Sequence, residues 1–151
     1  MGIDEMMEEV RAGLARLEPA AAHAAAQEPG AFLVDTRPEY QRRAGGELPD
    51  AIVIERNHLE WRLDPASPGH IPEATSTAIR WIVLCNEGYA STLAADSLRR
   101  LGLTVSTDVI GGFQAWVAAG LPTDKPASPR PPRGPGSADP ETSYSNSVTR
   151  P

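Results

Sequence analysis

The stretch WIVLCNEGYASTLAADSLRRLG, residues 81–102, constrains this chain more than any other. Its apolar run Trp81–Leu84 reads as a buried strand and delivers the only cysteine, Cys85, into a short loop containing Gly88. A helical pattern follows at once. Ala90, Ala94, Leu98 and Leu101 recur on one face, Arg99 and Arg100 fill the last turn, and Gly102 stands where a left-handed terminator belongs. A strand that turns directly into a helix gathers backbone N–H groups and the positive end of the helix dipole around its loop. The stretch therefore predicts an anion-binding site with a thiol at its floor.

The rest of the chain alternates helix and strand in the same way. Ile3, Met6, Met7, Val10, Leu14 and Leu17 fall on one face at helical spacing, with acidic residues early and Arg11 and Arg16 later, which predicts an N-terminal amphipathic helix (1–18) that packs on the domain. Pro19 restarts an alanine-rich helix that Pro29-Gly30 ends. Ala31–Arg37 is a short apolar run with Asp35 and Arg37 at its carboxyl end. A helical turn over Pro38–Arg43, a strand at Ala51–Ile54 and one or two helical turns over His58–Leu63 come next. Leu103–Ile110 supplies a fourth, more polar strand. Gly111-Gly112 then opens a last helix in which Phe113, Trp116 and Val117 can face the sheet. Trp61, Trp81 and Trp116 are expected in the core or a pocket wall.

This order implies an α/β domain with a mainly parallel sheet, whose ligand crevice lies beyond the carboxyl ends of the strands. Asp35-Thr36-Arg37, Glu55-Arg56 and Cys85 all sit at such ends, so separate segments point at one site. After Leu121 the chain is dominated by Pro, Ser, Gly and Thr without apolar periodicity, and 124–151 is expected to be a disordered tail.

Charge and cysteine count remove several function classes. A net charge of -6 argues against nucleic-acid and anionic-membrane partners, which need a basic face. The acidic N-terminus and the lack of a long apolar run predict a cytoplasmic protein with no transmembrane helix. One cysteine excludes an internal disulfide, and the 3 histidines lack ligand spacing, so neither metal nor cofactor is expected. On position alone, Cys85 is equally a small buried hydrophobe ending a strand or a nucleophile, since a thiol attacks only as thiolate and inward N–H groups would stabilise that anion.

The motifs resemble the rhodanese family. Cys85-x-x-Gly88-x-x-Ser91 after Ile82-Val83-Leu84 is similar to its active-site loop, and Asp35-x-Arg37 to its first-strand signature. Gly46-Glu47-Leu48-Pro49-Asp50-Ala51-Ile52 resembles its G-H-I-P-G-A pattern, and Gly111-Gly112-Phe113-x-x-Trp116, closing with Gly120-Leu121-Pro122, resembles its C-terminal motif. The resemblance covers 19–123 and implies a three-layer domain, with a mainly parallel sheet of four to five strands flanked by helices.

It further implies a sulfurtransferase. Cys85 would take the outer sulfur of a donor (thiosulfate, a polysulfide or a persulfide), hold it as a persulfide and yield it to a thiol, cyanide or an acceptor protein. Asn86, Glu87, Gly88, Tyr89, Ala90 and Ser91 would bind substrate, with Asp35, Arg37, Arg56 and Arg62 in support. Arg37 is also read as an ion-pair partner of Asp35. No metal is needed, and either a monomer or a homodimer is compatible.

Departures from the family pattern are specific. The loop contains no Lys or Arg, and Glu87 would repel a dianion such as thiosulfate if it faced the pocket. Glu47 and Asp50 stand where the family has His and Gly, on a turn remote from the chemistry. A cysteine phosphatase would need arginine six residues after the nucleophile, where this chain has Ser91. The other alternative is a noncatalytic rhodanese-like module that binds partners or senses redox state through Cys85.

Overall fold

In a computed structural model, which describes residues 1–124, a parallel sheet in the order β2-β1-β3-β4 is covered on both faces. The elements are α1 (Ile3–Ala12), α2 (Pro19–Ala25), β1 (Ala31–Asp35), α3 (Glu39–Gly45), β2 (Ile52–Val53), a 3₁₀ turn (Arg56–His58), α4 (Leu59–Leu63), β3 (Arg80–Leu84), α5 (Ala90–Arg100), β4 (Thr107–Asp108) and α6 (Gly112–Ala118). The two central strands are the two apolar runs. They pair along their whole length, Ala31 opposite Arg80 through Asp35 opposite Leu84.

Residues of period two divide between two cores. Val34, Trp81 and Val83 pack with Leu59, Leu63, Ala94 and Leu98 on the face covered by α4 and α5. Leu33, Ile82 and Leu84 pack with Ala22, Val109, Phe113 and Trp116 on the face covered by α2 and α6. Trp81, Ile82, Val83 and Leu84 are fully buried, and each contributes about 2 kcal/mol by burial. That clamps the strand from which the cysteine loop springs.

After β1 the chain runs outward to β2, then returns to the other side of β1 as β3. The reversal leaves a crevice beyond the carboxyl ends of β1 and β3, where Thr36 and Cys85 emerge. Thr36 ties the two ends together, its N–H and its hydroxyl each donating to the Leu84 carbonyl at 2.9 Å.

Several boundaries and faces differ from expectation. Helix α1 ends at Ala12, and Leu17 is extended instead, bridging Val109 at the outer edge of β4. Of the N-terminal stripe, Met7 and Leu14 are buried while Ile3 and Met6 are exposed, because α1 leans on α5 along a narrower seam than six positions would cover. Trp61, Leu101 and Val117 are exposed, Trp61 with 65% of its surface in solvent. Trp61 and Val117 lie in short helices, α4 and α6, which have room to bury only one side. The fourth strand pairs over Thr107–Asp108 alone. Among the described residues no helix is long and apolar enough to cross a membrane. The expectation of disorder for the tail falls, beyond Asp124, outside the described residues.

Candidate active site

Cys85 follows β3 directly and is 8% exposed, its sulfur facing the loop that folds back over it. The N–H of Gly88 points at Sγ from 3.1 Å and the N–H of Ser91 from 3.4 Å. The thiol donates to Ser91 Oγ at 3.2 Å, and the same hydroxyl can turn to donate once the sulfur is an anion. Ser91 lies in the first turn of α5, so Sγ also meets the positive end of an eleven-residue helix. Donors converge on sulfur from a loop and a helix start.

Gly88 is required twice over. Its φ of +86° is a left-handed conformation, and a Cβ there would come within 2.7 Å of the Gly111 nitrogen. Across the same contact, a Cβ on Gly112 would sit 2.4 Å from the Cys85 carbonyl oxygen. The glycine pair lets α6 approach backbone to backbone. Phe113 N–H then donates to the Cys85 carbonyl at 2.8 Å and Gln114 N–H to the Asn86 carbonyl at 3.0 Å. Gln114 also reaches the Asn86 side chain at 3.3 Å.

Of the other loop residues singled out in the sequence, Ala90 is half-buried at the start of α5, and Glu87 and Tyr89 are exposed at the rim. Asp35 and Arg37 form a buried ion pair under the loop, with Nη2 to Oδ2 at 2.8 Å and Nε to Oδ1 at 3.1 Å. Arg37 also donates to the Gly46 carbonyl and lies 3.7 Å above the Phe113 ring. Its guanidinium thus braces the start of α6, which in turn holds Cys85.

Arg56 and Arg62 are bonded elsewhere. Arg56 pairs with Glu60 one helical turn on, and Arg62 donates to the Gly69 carbonyl. Glu60 also accepts from the Ser97 hydroxyl. Burial pushes the Glu60 carboxyl up, but the Ser97 hydroxyl, the backbone N–H and Arg56 outweigh it, and the group titrates below its ordinary range. Glu47, at the family's usual histidine position, bonds to Arg42 and Asp124 and so shapes its own turn.

The loop's cations come from a part of the chain that the sequence did not connect to it. Arg11 donates to the Gly88 carbonyl at 3.0 Å and lies over the Tyr89 ring, and Arg16 reaches the same carbonyl at 3.4 Å. Arg16 also grips Asp108, fully buried in β4, through bonds of 2.9 and 3.0 Å, and Thr92 donates to that carboxylate at 2.7 Å. One signal was present in the sequence: an aspartate within the expected strand Leu103–Ile110 needs a partner if it is buried.

Comparison with known proteins agrees with this fold. Residues 18–119 match the family model of the rhodanese-like domain. The adenylyltransferase and sulfurtransferase MOCS3 of Arabidopsis thaliana is 32% identical over 93 residues, 57% of this chain and 20% of that protein. The chain therefore spans about a fifth of the length of the curated relatives it matches. Among solved structures, a protein of unknown function and possible tyrosine phosphatase from Rhodopseudomonas palustris is 29% identical, with a TM-score of 0.74 over 82% of this chain and 95% of that one. The polysulfide-sulfur transferase homodimer of Wolinella succinogenes shares the fold, with 20% identity, a TM-score of 0.68, and coverage of 85% and 91%. A thiosulfate sulfurtransferase from Pseudomonas aeruginosa is 26% identical, with a TM-score of 0.57 over 73% of this chain and 19% of that one.

Proposed function

This chain belongs to the rhodanese-like domain family, and from that membership we propose that it transfers sulfane sulfur through a persulfide on Cys85. The observation that carries the reading is the convergence of two backbone N–H groups and the Ser91 hydroxyl on Sγ, in a loop whose outward carbonyls are held from outside. The Cys85 thiolate attacks the outer sulfur of the donor, the donor's S–S bond breaks, and its electron pair leaves with sulfite or a thiolate. A thiol, cyanide or a cysteine of an acceptor protein then attacks the bound sulfur and restores the thiolate. Asn86 to Ser91 bind the transferring group through their backbone, and Asp35 and Arg37 act as supports beneath them.

Sulfurtransferase relatives favour this over the phosphatase reading, and the retained cysteine favours it over a noncatalytic module. At the position where a phosphatase loop needs a guanidinium, this chain places the Ser91 hydroxyl beside Sγ. Glu87 is exposed beside the cysteine, and Arg11 lies over the Tyr89 ring two residues on, so the loop carries an acidic side chain of its own and a cation from another element. The compartment that suits a lone working thiol is the reducing cytoplasm.

Replacing Cys85 by Ser tests the assignment. Sulfur transfer from thiosulfate, polysulfide and glutathione persulfide to cyanide or thiol should vanish, while stability changes by less than about 1 kcal/mol because the hydroxyl fits the same donors. A variant that still transfers sulfur would refute the assignment. An inactive variant that had also lost several kcal/mol would favour a noncatalytic module built around a structural cysteine.

A further inference from the structure

We propose that the segment ahead of residue 18, which lies outside the stretch matched by the family model, is a working part of the cysteine loop: Arg11 and Arg16 are positioning residues that set the Gly88–Tyr89 peptide against Cys85. The inference deepens the sulfur-transfer reading and rests on it. The loop's carbonyls differ in their partners. Those of Cys85 and Asn86 each receive a backbone N–H from α6. The carbonyl of Gly88 receives nothing from α6; its partners are the guanidinium groups of Arg11 and Arg16 and the Thr92 hydroxyl at 3.3 Å.

Thr92 has one proton to give, and Asp108 at 2.7 Å is the closer acceptor. With that proton on Asp108, the arginines are the donors left to Gly88. The N–H and the carbonyl of Gly88 lie in two peptide planes joined at its Cα. Holding the carbonyl therefore limits rotation of the Gly88 backbone, and with it the aim of the N–H that touches Sγ.

The two arginines are held differently. Arg16 is forked onto buried Asp108 and is 15% exposed, so its reach to Gly88 is fixed by β4. Arg11, on the last turn of α1, enters no ion pair among the described residues and lies 5.6 Å from the centre of the Tyr89 ring. Its charge thus faces the loop uncompensated. It supplies from another element the cation that the loop's own sequence lacks.

The test uses the full chain and the uncharged alkylating agent iodoacetamide, which reads thiolate reactivity at Cys85 whatever the natural donor. Arg11→Met should slow alkylation at pH 7 by about fivefold to tenfold, lower kcat for persulfide formation more than it raises KM, and leave the melting temperature close to wild type. Arg11→Lys keeps the charge and one donor and should recover most of the rate. Arg16→Met leaves Asp108 buried and unpaired, so Arg16→Met combined with Asp108→Asn is the fair version, and it should show a comparable loss. Folded Arg11→Met and double variants that alkylate and form persulfide at wild-type rates would overturn the proposal. So would an Arg11→Lys variant no faster than Arg11→Met. A wild-type protein that accepts no sulfur would instead refute the sulfur-transfer reading, and alkylation would still report on the clamp.

Discussion

The cysteine loop is held on two flanks by different means. On the α6 flank, backbone meets backbone: Gly112 brings its Cα to van der Waals range of the Cys85 carbonyl, and successive N–H groups of Phe113 and Gln114 take successive loop carbonyls. On the α1 flank, side chains span the gap, as Arg11 and Arg16 reach from a helix and an extended segment to one carbonyl. The first flank tolerates no added atom and adjusts to none. The second works through long, rotatable side chains that can shift without a backbone clash. The lesson is that rigidity and charge are supplied to this loop by separate parts of the chain.

Substitutions on the two flanks should separate these contributions. Gly112→Ala is expected to have the largest effect, because its Cβ would lie 2.4 Å from a backbone oxygen and φ is +59°. Denaturant unfolding should show a loss of about 4 kcal/mol, together with loss of Cys85 reactivity in whatever remains folded. A small loss would show that the α6 flank yields as readily as the other. Asp108→Ala comes next: it strips Arg16 of its fork and Thr92 of its acceptor. The expected cost is about 3 kcal/mol by the same measurement, since it breaks a pair in which the carboxylate is fully buried.

Ser91→Ala leaves both flanks intact and removes one donor to sulfur. It should change stability by about 1 kcal/mol or less and slow iodoacetamide alkylation roughly threefold. The smallest effect belongs to a region touching neither flank. Glu60, bonded to Ser97 and Arg56, titrates below its ordinary value when folded. Its contribution to stability is therefore present above the unfolded carboxylate value of 4.5 and is lost as pH falls through the lower folded value. Between about pH 5 and pH 3, wild type should lose more melting temperature than Glu60→Gln while the alkylation chemistry at Cys85 stays indifferent to the substitution.

The same division explains what could be read from residues alone. β1 and β3 were legible because a strand buried on both faces must be apolar throughout, and the start of α6 was legible in Gly111-Gly112, while its backbone contact with the cysteine loop was not. Cys85, Gly88 and Ser91 were legible by their spacing after a buried strand. β4 was overdrawn: its two paired residues are Thr and Asp, and the apolar positions around them belong to turns and to the bridge with Leu17. Arg56, at a strand end, and Arg62, in the helical turn after it, are supporting cations in the sequence reading, while in the structure they bond to Glu60 and to the Gly69 carbonyl. Arg11 and Arg16 escaped because an arginine near a helix end serves the dipole equally well, and nothing in sequence distance links them to Gly88. Trp61 shows the limit of hydrophobicity as a guide, since α4 buries Leu59 and Leu63 and turns that indole to solvent.

Mass spectrometry of the peptide bearing Cys85, after the intact protein has met thiosulfate, polysulfide or glutathione persulfide, tests the central claim most directly. The account predicts the gain of one sulfur atom on Cys85 with at least one of these donors, and its loss again on addition of cyanide or thiol. Absence of that sulfur with all of them, in a protein whose Cys85 still alkylates, would contradict it.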